Sequence, residues 1–387
     1  MAVSSVRIPV ARPWMGEREA EAARRAILSG WVTQGPEVAA FEQEFATAVG
    51  AAHACAVSSC TAALHVALSA LGVGPGDEVV TVSHSFIATA NAVRYCGAIP
   101  VFVDVQLETY NMDPRLVANA CSPRTKAILC VHQLGMPCDL ASIVSIAASR
   151  GVPVVEDAAC AVGSEVSWND RWERIGRPHG DVACFSFHPR KLLSTGDGGM
   201  LTTSRADLDA SFRLLRQHGM SVSDTARHNS SRVVSESYAQ LGYNYRLTDI
   251  QAAIGREQLE RLPAMVTRRR ELVGRYQQRL VDIPGIVTPS EPIWARSNWQ
   301  SYAVRLRSPL RQSTAMQQML DEGIATRRGV MNAHQEGAYP PETWRGAPHA
   351  LGNSEEVSAT SLVLPLFHEM TDLEQDRVVT ALERACG

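Results

Sequence analysis

Lysine is almost missing from this chain. Of its 37 basic residues only two, Lys126 and Lys191, are lysines; the rest are arginines. A guanidinium carries surface charge as well as an ammonium does, but it cannot form an imine, so a retained lysine can mark a position where a primary amine is needed. An excess of one charge is also lacking. Forty acids against 37 bases leave a net charge of -3, and no basic field to hold nucleic acid. Long apolar runs are absent: the longest, such as 98–105, fall far short of the roughly 20 residues a membrane helix requires. The first ten residues show no basic flank leading into an apolar run, so no export signal is expected and the expected location is the cytoplasm. No Cys-x-x-Cys occurs among the nine cysteines, and their odd number within apolar segments fits buried thiols in a reducing compartment. Their spacings to histidine match no zinc template, so no metal is expected.

What is present is enough apolar material for a large core. The 387 residues, 45% of them hydrophobic, imply two or three domains, or one large domain with a satellite. Short β-branched runs near 53–58, 78–83, 99–105, 126–132, 152–157, 181–187 and 199–203 read as strands. Amphipathic stretches such as Thr61 to Leu71 and Ala141 to Arg150 lie between them. Such alternation predicts an α/β fold with a mostly parallel, seven-stranded sheet covered on both faces. The pattern changes near residue 255. Beyond it come a long Arg-rich helix (Gln258 to Leu280), a strand (Tyr302 to Leu306), a helix (Thr314 to Gly323), an irregular stretch (Arg328 to Gly352) and a closing helix (Leu373 to Arg384). The expected division is therefore a large domain over 1–255 and a smaller α+β domain over 256–387. Residues 221–237 are polar and aperiodic, which suggests a functional or interfacial excursion.

Ligands of parallel sheets sit at the carboxyl ends of the strands, and three segments there carry chemistry. In Val155-Glu-Asp157 the alternation of a strand puts the two carboxylates on opposite faces, where one can bind a cation, act as a base, or cap the next helix. In Ser186-Phe-His-Pro-Arg-Lys191, a Gly-rich turn (Gly196-Asp-Gly-Gly199) follows the lysine. Lys126 lies at the start of a strand, the wrong end for a ligand. In Ser58-Ser-Cys-Thr61 a strand turns directly into a helix, which is either an anion site or an ordinary N-cap. The three glycines of 72–76 precede a strand rather than follow one, so a dinucleotide fingerprint is rejected. A phosphate cradle, an acid and a lysine together meet the needs of pyridoxal 5'-phosphate, and Phe86, after the next strand, could cover its ring. Taken alone, Phe86 is expected in the core.

The ordered motifs resemble the DegT/DnrJ/StrS family of sugar aminotransferases, of the aspartate aminotransferase fold type I. They run from Ser29-Gly-Trp31 and Gly35-Pro-Glu-Val38 through Ser59-Cys-Thr-Ala-Ala-Leu-His65, Ser85-Phe-Ile-Ala-Thr-Ala-Asn91, Pro100-Val-Phe-Val-Asp104 and Glu156-Asp-Ala-Ala159. The lysine segment, Gly242-Tyr-Asn-Tyr-Arg246, Gln251-Ala-Ala253 and Leu364-Pro-Leu366 complete them. The resemblance implies that Lys191 holds the cofactor's aldehyde and Asp157 pairs with its ring nitrogen. It also implies that Ser186 with the Thr61 and Ala62 backbone binds the phosphate, that Phe86 stacks on the ring, and that Asn244 reaches the phosphate of the neighbouring subunit in a homodimer. Two positions depart from the family: Cys60 replaces the usual glycine, and Cys160 replaces a glutamine or histidine that contacts the cofactor face. The implied activity is amino transfer from glutamate or glutamine to a nucleotide-linked keto sugar or a cyclitol ketone. A dehydratase of the same fold carries histidine in place of the lysine, which Lys191 opposes; a regulatory cofactor-binding protein is the other alternative. Trp31, 221–237 and Arg327 to Tyr339, with His334, are expected around the acceptor, His334 being either a ligand or a surface histidine.

Overall fold

The computed structural model describes residues 7–222, 227–228, 230–307, 310–346 and 351–386. Apolar β-branched runs without alternation need cover on both faces, and seven of them pair into the large sheet. Its order is His53–Val57, Gly199–Thr203, Val182–Ser186, Val154–Asp157, Thr125–Val131, Glu78–Val82, Ile99–Val103 and finally Arg345–Gly346. Only Gly199–Thr203 runs against the others. The eighth strand comes from the stretch expected to be irregular; at two residues it is too short to show any period.

Helices cover both faces, and local capping sets where they begin. Ser59 Oγ accepts from Ala62 N (3.1 Å) to start Cys60–Ala70. Asp139 Oδ1 accepts from Ser142 N (3.2 Å) to start Leu140–Arg150, which stops at Gly151 with φ 65°. The first of these was expected to be amphipathic. It is instead buried on almost every face, because Ala88–Tyr95 and Ala206–Leu215 flank it above the sheet. The long helix begins at Asp249, nine residues before the apolar stripe suggested, because Thr248 and Gln251 form a capping box. Its 32 residues, about 48 Å at 1.5 Å per residue, run through two cores. Leu259, Leu262, Met265 and Val266 pack under the large sheet with Phe41, Phe45 and Phe187. Leu272, Val273, Tyr276 and Leu280 pack with Tyr302, Leu364, Phe367 and Leu382.

The second core lies against a four-stranded antiparallel sheet, ordered Ile286–Val287, Tyr302–Leu306, Ser361–Leu364 and Arg327–Arg328. Ile8 belongs to this core and bridges to Ile324. A third sheet of three short strands pairs the hairpin Glu165–Trp168 and Arg171–Arg174 with Ala295–Arg296. None of the described helices is long and apolar enough to cross a membrane.

Candidate active site

The turn after Val182–Ser186 is held from within. Phe187 N donates to Gly198 O (2.9 Å), Thr195 N to Phe187 O (3.0 Å), and Lys191 N to His188 O (2.8 Å). Buried Leu192 and Leu193 anchor the following residues in the core, so the Lys191 backbone cannot drift. Lys191 Nζ lies 3.1 Å from Cys160 Sγ. Burial works against a charged amine, but Cys160, Cys60 and Asp157 outweigh it and hold the Lys191 ammonium above its ordinary value.

Asp157 ends the neighbouring strand and is 5% exposed. Thr89 donates its hydroxyl hydrogen to Oδ2 (2.7 Å), and Ala159 N donates to Oδ1 (3.1 Å). Burial raises the carboxyl, while Thr89, Ala159, Lys191 and His132 pull it down; burial dominates and leaves it above the usual carboxylate range. A cationic group against Asp157 would reverse that balance. Glu156, as alternation requires, faces the other way. Its Oε1 accepts from His179 N (3.2 Å) and Gly180 N (2.9 Å), and its Oε2 lies 3.1 Å from His132 Nε2. Glu156 therefore braces the loop ahead of Val182–Ser186 and is turned away from the lysine.

The start of Cys60–Ala70 is the third part. Ser59 takes the Ala62 N–H, so the N-cap reading is realised; helix geometry leaves the other first-turn N–H groups, Thr61 included, without intrahelical acceptors. A Cβ added at Gly199 would lie 2.5 Å from Ser59 C and 2.7 Å from Cys60 N, so only glycine lets the antiparallel strand pass this turn. Ser186 is buried alongside, its Oγ 3.4 Å from His188 N. The Cys60 thiol points into the sheet, toward Cys184 O at 3.6 Å, and burial raises it well above the ordinary thiol value.

Phe86 is not core, as its isolated reading suggested: it is 62% exposed in the loop between Glu78–Val82 and Ala88–Tyr95, on the same rim. Asn244 is exposed too, its backbone bridging to Gln217 while Arg246 bridges to Val57. His334 is tied down: Nδ1 lies 2.6 Å from Ser83 Oγ and Nε2 3.2 Å from Glu355 Oε1. Trp31 Nε1 donates to Gln34 O (3.2 Å), and its ring meets His228 edge-on. Within 221–237, residues 223–226 and 229 lie outside the described residues, and Ser221 N donates to Ser237 O (2.9 Å). Lys126 is exposed at the opposite end of the sheet.

Residue-level reading overlooked three side chains here. Thr89 sits inside a quoted motif, but nothing local reveals that it bonds a residue 68 positions away. Asn298 and Gln300, from the far part of the chain, bond the Cys160 and Arg190 carbonyls, and their polar, aperiodic surroundings gave no signal.

Lys191, Asp157, Ser186 and the Ser59–Ala62 turn thus converge on one rim of a mostly parallel sheet. The model of the DegT/DnrJ/EryC1/StrS aminotransferase family matches residues 13–383, and the chain belongs to that family. Among curated proteins it is similar to the spore coat polysaccharide biosynthesis protein SpsC of Bacillus subtilis, 38% identical over 97% of this chain and 96% of that one. Among solved structures it is similar to the aminotransferase TlmJ of Streptoalloteichus hindustanus, with 36% identity, 98% of each chain covered and a TM-score of 0.88. It is likewise similar to DesV of S. venezuelae, solved in complex with a ketimine intermediate, with 32% identity, 98% of each chain covered and a TM-score of 0.85.

Proposed function

We propose that this aminotransferase uses pyridoxal 5'-phosphate to move an amino group from glutamate or glutamine to a keto group of a nucleotide-linked sugar or a cyclitol. The observation that carries the reading is the half-buried Lys191, whose amine meets Cys160 Sγ near the buried Asp157 carboxylate, beside a helix start that Gly199 alone permits. These residues fit the cofactor's amine-reactive aldehyde, its ring nitrogen and its phosphate in turn.

When bound, the cofactor supplies an electron sink for the donor's α-carbon. Lys191 Nζ would hold the aldehyde carbon and, once the donor's amine has displaced it, would take a proton from the donor's α-carbon as general base and deliver it to the former aldehyde carbon as general acid. Asp157 keeps a proton on the ring nitrogen. Ser186 Oγ and the Thr61 N–H would hold the phosphate dianion at the positive end of the helix, whereas the expected Ala62 N–H is already taken by Ser59 Oγ. Exposed Phe86 offers a flat face for the ring. The retained Lys191 speaks against the dehydratase alternative. We place the enzyme in the cytoplasm as a two-fold homodimer in which Asn244 serves the neighbouring subunit.

Borohydride reduction of the cofactor-loaded protein, followed by peptide mapping, tests the reading directly. The adduct is expected on Lys191, with glutamate alone converting the unreduced protein to its amine form. An adduct on Lys126, or no cofactor uptake by folded protein, refutes it.

A further inference from the structure

Gln300 is 6% exposed, and Asn298 is fully buried, in a segment far along the chain from the lysine turn. Asn298 Nδ2 donates to two carbonyls of the loop after Asp157, Cys160 O at 2.9 Å and Val162 O at 2.7 Å. Its Oδ1 accepts from Gln300 N (2.8 Å), and its own N–H donates to Ser164 Oγ (3.0 Å) on the same loop. Gln300 Nε2 donates to Arg190 O (2.5 Å), the carbonyl joined to the Lys191 nitrogen. One three-residue segment therefore grips both loops whose side chains meet at Lys191 and Cys160.

The grip is held at a cost. Trp299, between the two amides, has φ 52°, in the left-handed region where a tryptophan is strained. Arg269, buried on the long helix, donates Nη1 to Trp299 O (3.0 Å) and Gln300 O (2.8 Å) and has no carboxylate partner among the described residues; burial lowers its guanidinium to about 10. Ser297 Oγ accepts from Trp299 N (2.9 Å). A strained residue persists only where its surroundings over-determine it, and such sites cluster where geometry matters for function.

We propose that Asn298 and Gln300 are positioning residues, which fix the Lys191 amine relative to Cys160 and Asp157 from the second core of the protein. The proposal rests on Lys191 being the cofactor's amine. A misplacement of about 1 Å at a reacting group costs on the order of 100-fold in rate, so loosening either amide acts on kcat without touching the donor's contacts.

The test uses cofactor-loaded Asn298→Asp, which keeps the shape but loses the donor, and Gln300→Leu, which keeps the bulk. Gln375→Leu is the control, since Gln375 is equally buried and donates to Leu272 O (2.7 Å) in the second core. Both test variants are expected to shift the pH midpoint of the cofactor's visible absorbance by at least half a unit. They should also lower kcat roughly 10- to 100-fold with donor KM within about twofold. Gln375→Leu should lower Tm and leave the midpoint in place. If the test variants lose Tm alone, or if neither folds, the segment is merely structural and the proposal falls. If the wild-type protein shows no cofactor absorbance, the functional reading fails first, so the two failures are distinguishable.

Discussion

Thr89 ties the helix Ala88–Tyr95 to the end of the strand Val154–Asp157: the threonine hydroxyl donates to Asp157 Oδ2 at 2.7 Å. Thr89 Oγ1 also lies 2.7 Å from Ser85 Oγ, so Ser85 can supply that oxygen with a hydrogen in turn. This chain of two hydroxyls opposes the burial of Asp157, which still leaves its carboxyl above the usual carboxylate range.

Thr89→Val removes that donor at nearly constant volume. A hydrogen bond to a charged group contributes about 1.5–3 kcal/mol, so the Asp157 carboxyl should rise further and kcat fall roughly 10- to 100-fold. Because the ionised form is the useful one, the acid limb of the kcat–pH profile should move to higher pH. A profile that falls in height without moving would show that Thr89 serves only packing.

Cys160→Gln puts an amide in place of the thiol while leaving Lys191 and Asp157 untouched. The half-reaction with glutamate should survive, with the absorbance maximum or its pH midpoint displaced, since an amide hydrogen-bonds better than a thiol. Asp157→Ala should abolish turnover yet retain some cofactor. Equal damage from the two variants in stopped-flow measurements would assign Cys160 a part in the chemistry itself.

The shared-site dimer is tested by complementation. Lys191→Ala lacks its own amine, whereas Asn244→Ala should damage only its partner's site. In an isologous dimer each subunit gives one Asn244 and receives one. Random reassembly of the two variants makes about half the dimers mixed, and roughly a quarter of all sites regain the wild-type set. Activity should climb from near zero toward that fraction. No recovery in mixtures whose heterodimers are confirmed by native mass spectrometry places Asn244 in its own subunit's site.

His84 is fully buried beside the rim, its Nδ1 3.0 Å from Asn332 Oδ1, and burial lowers it to about 4 despite Asn332 and Asp104. A histidine depressed in the folded chain binds its proton more readily when unfolded. Its contribution to stability is therefore intact above the unfolded value near 6.5 and drains away as pH falls toward 4. The loss amounts to roughly 3 kcal/mol. His84→Gln should flatten the fall in urea-midpoint stability over that window. His368, lowered to about 3, loses stability over the same window and on down to about pH 3, so the fall in the variant should be flattened and not abolished. An unchanged slope between pH 6.5 and 4 would mean that His84 is not what titrates.

The strands, and the meeting of Lys191 with Asp157 at one rim of their sheet, were legible because each signal is local: apolar runs of five to seven residues, and a lysine whose rarity marked it. The eighth strand was not, since Arg345–Gly346 pairs with Val101 and Phe102, and two residues carry no period. The start of the long helix is written in Thr248 and Gln251, a capping box that lies ahead of the apolar stripe. Thr89, Asn298 and Gln300 were beyond reach for another reason. Polar residues acquire their roles from partners many positions away, and one sequence contains no record of those pairings.

The late pairing of Arg345–Gly346 has a consequence for synthesis. Ile99–Val103 leaves the ribosome early as an apolar strand with one unpaired edge, and its cover is made only after most of the chain has followed. An open edge of that kind is a template for intermolecular pairing. The nascent enzyme thus carries an aggregation-prone margin through more than half of its translation, and chains that terminate before residue 345 should depend on chaperones far more than the full-length protein does.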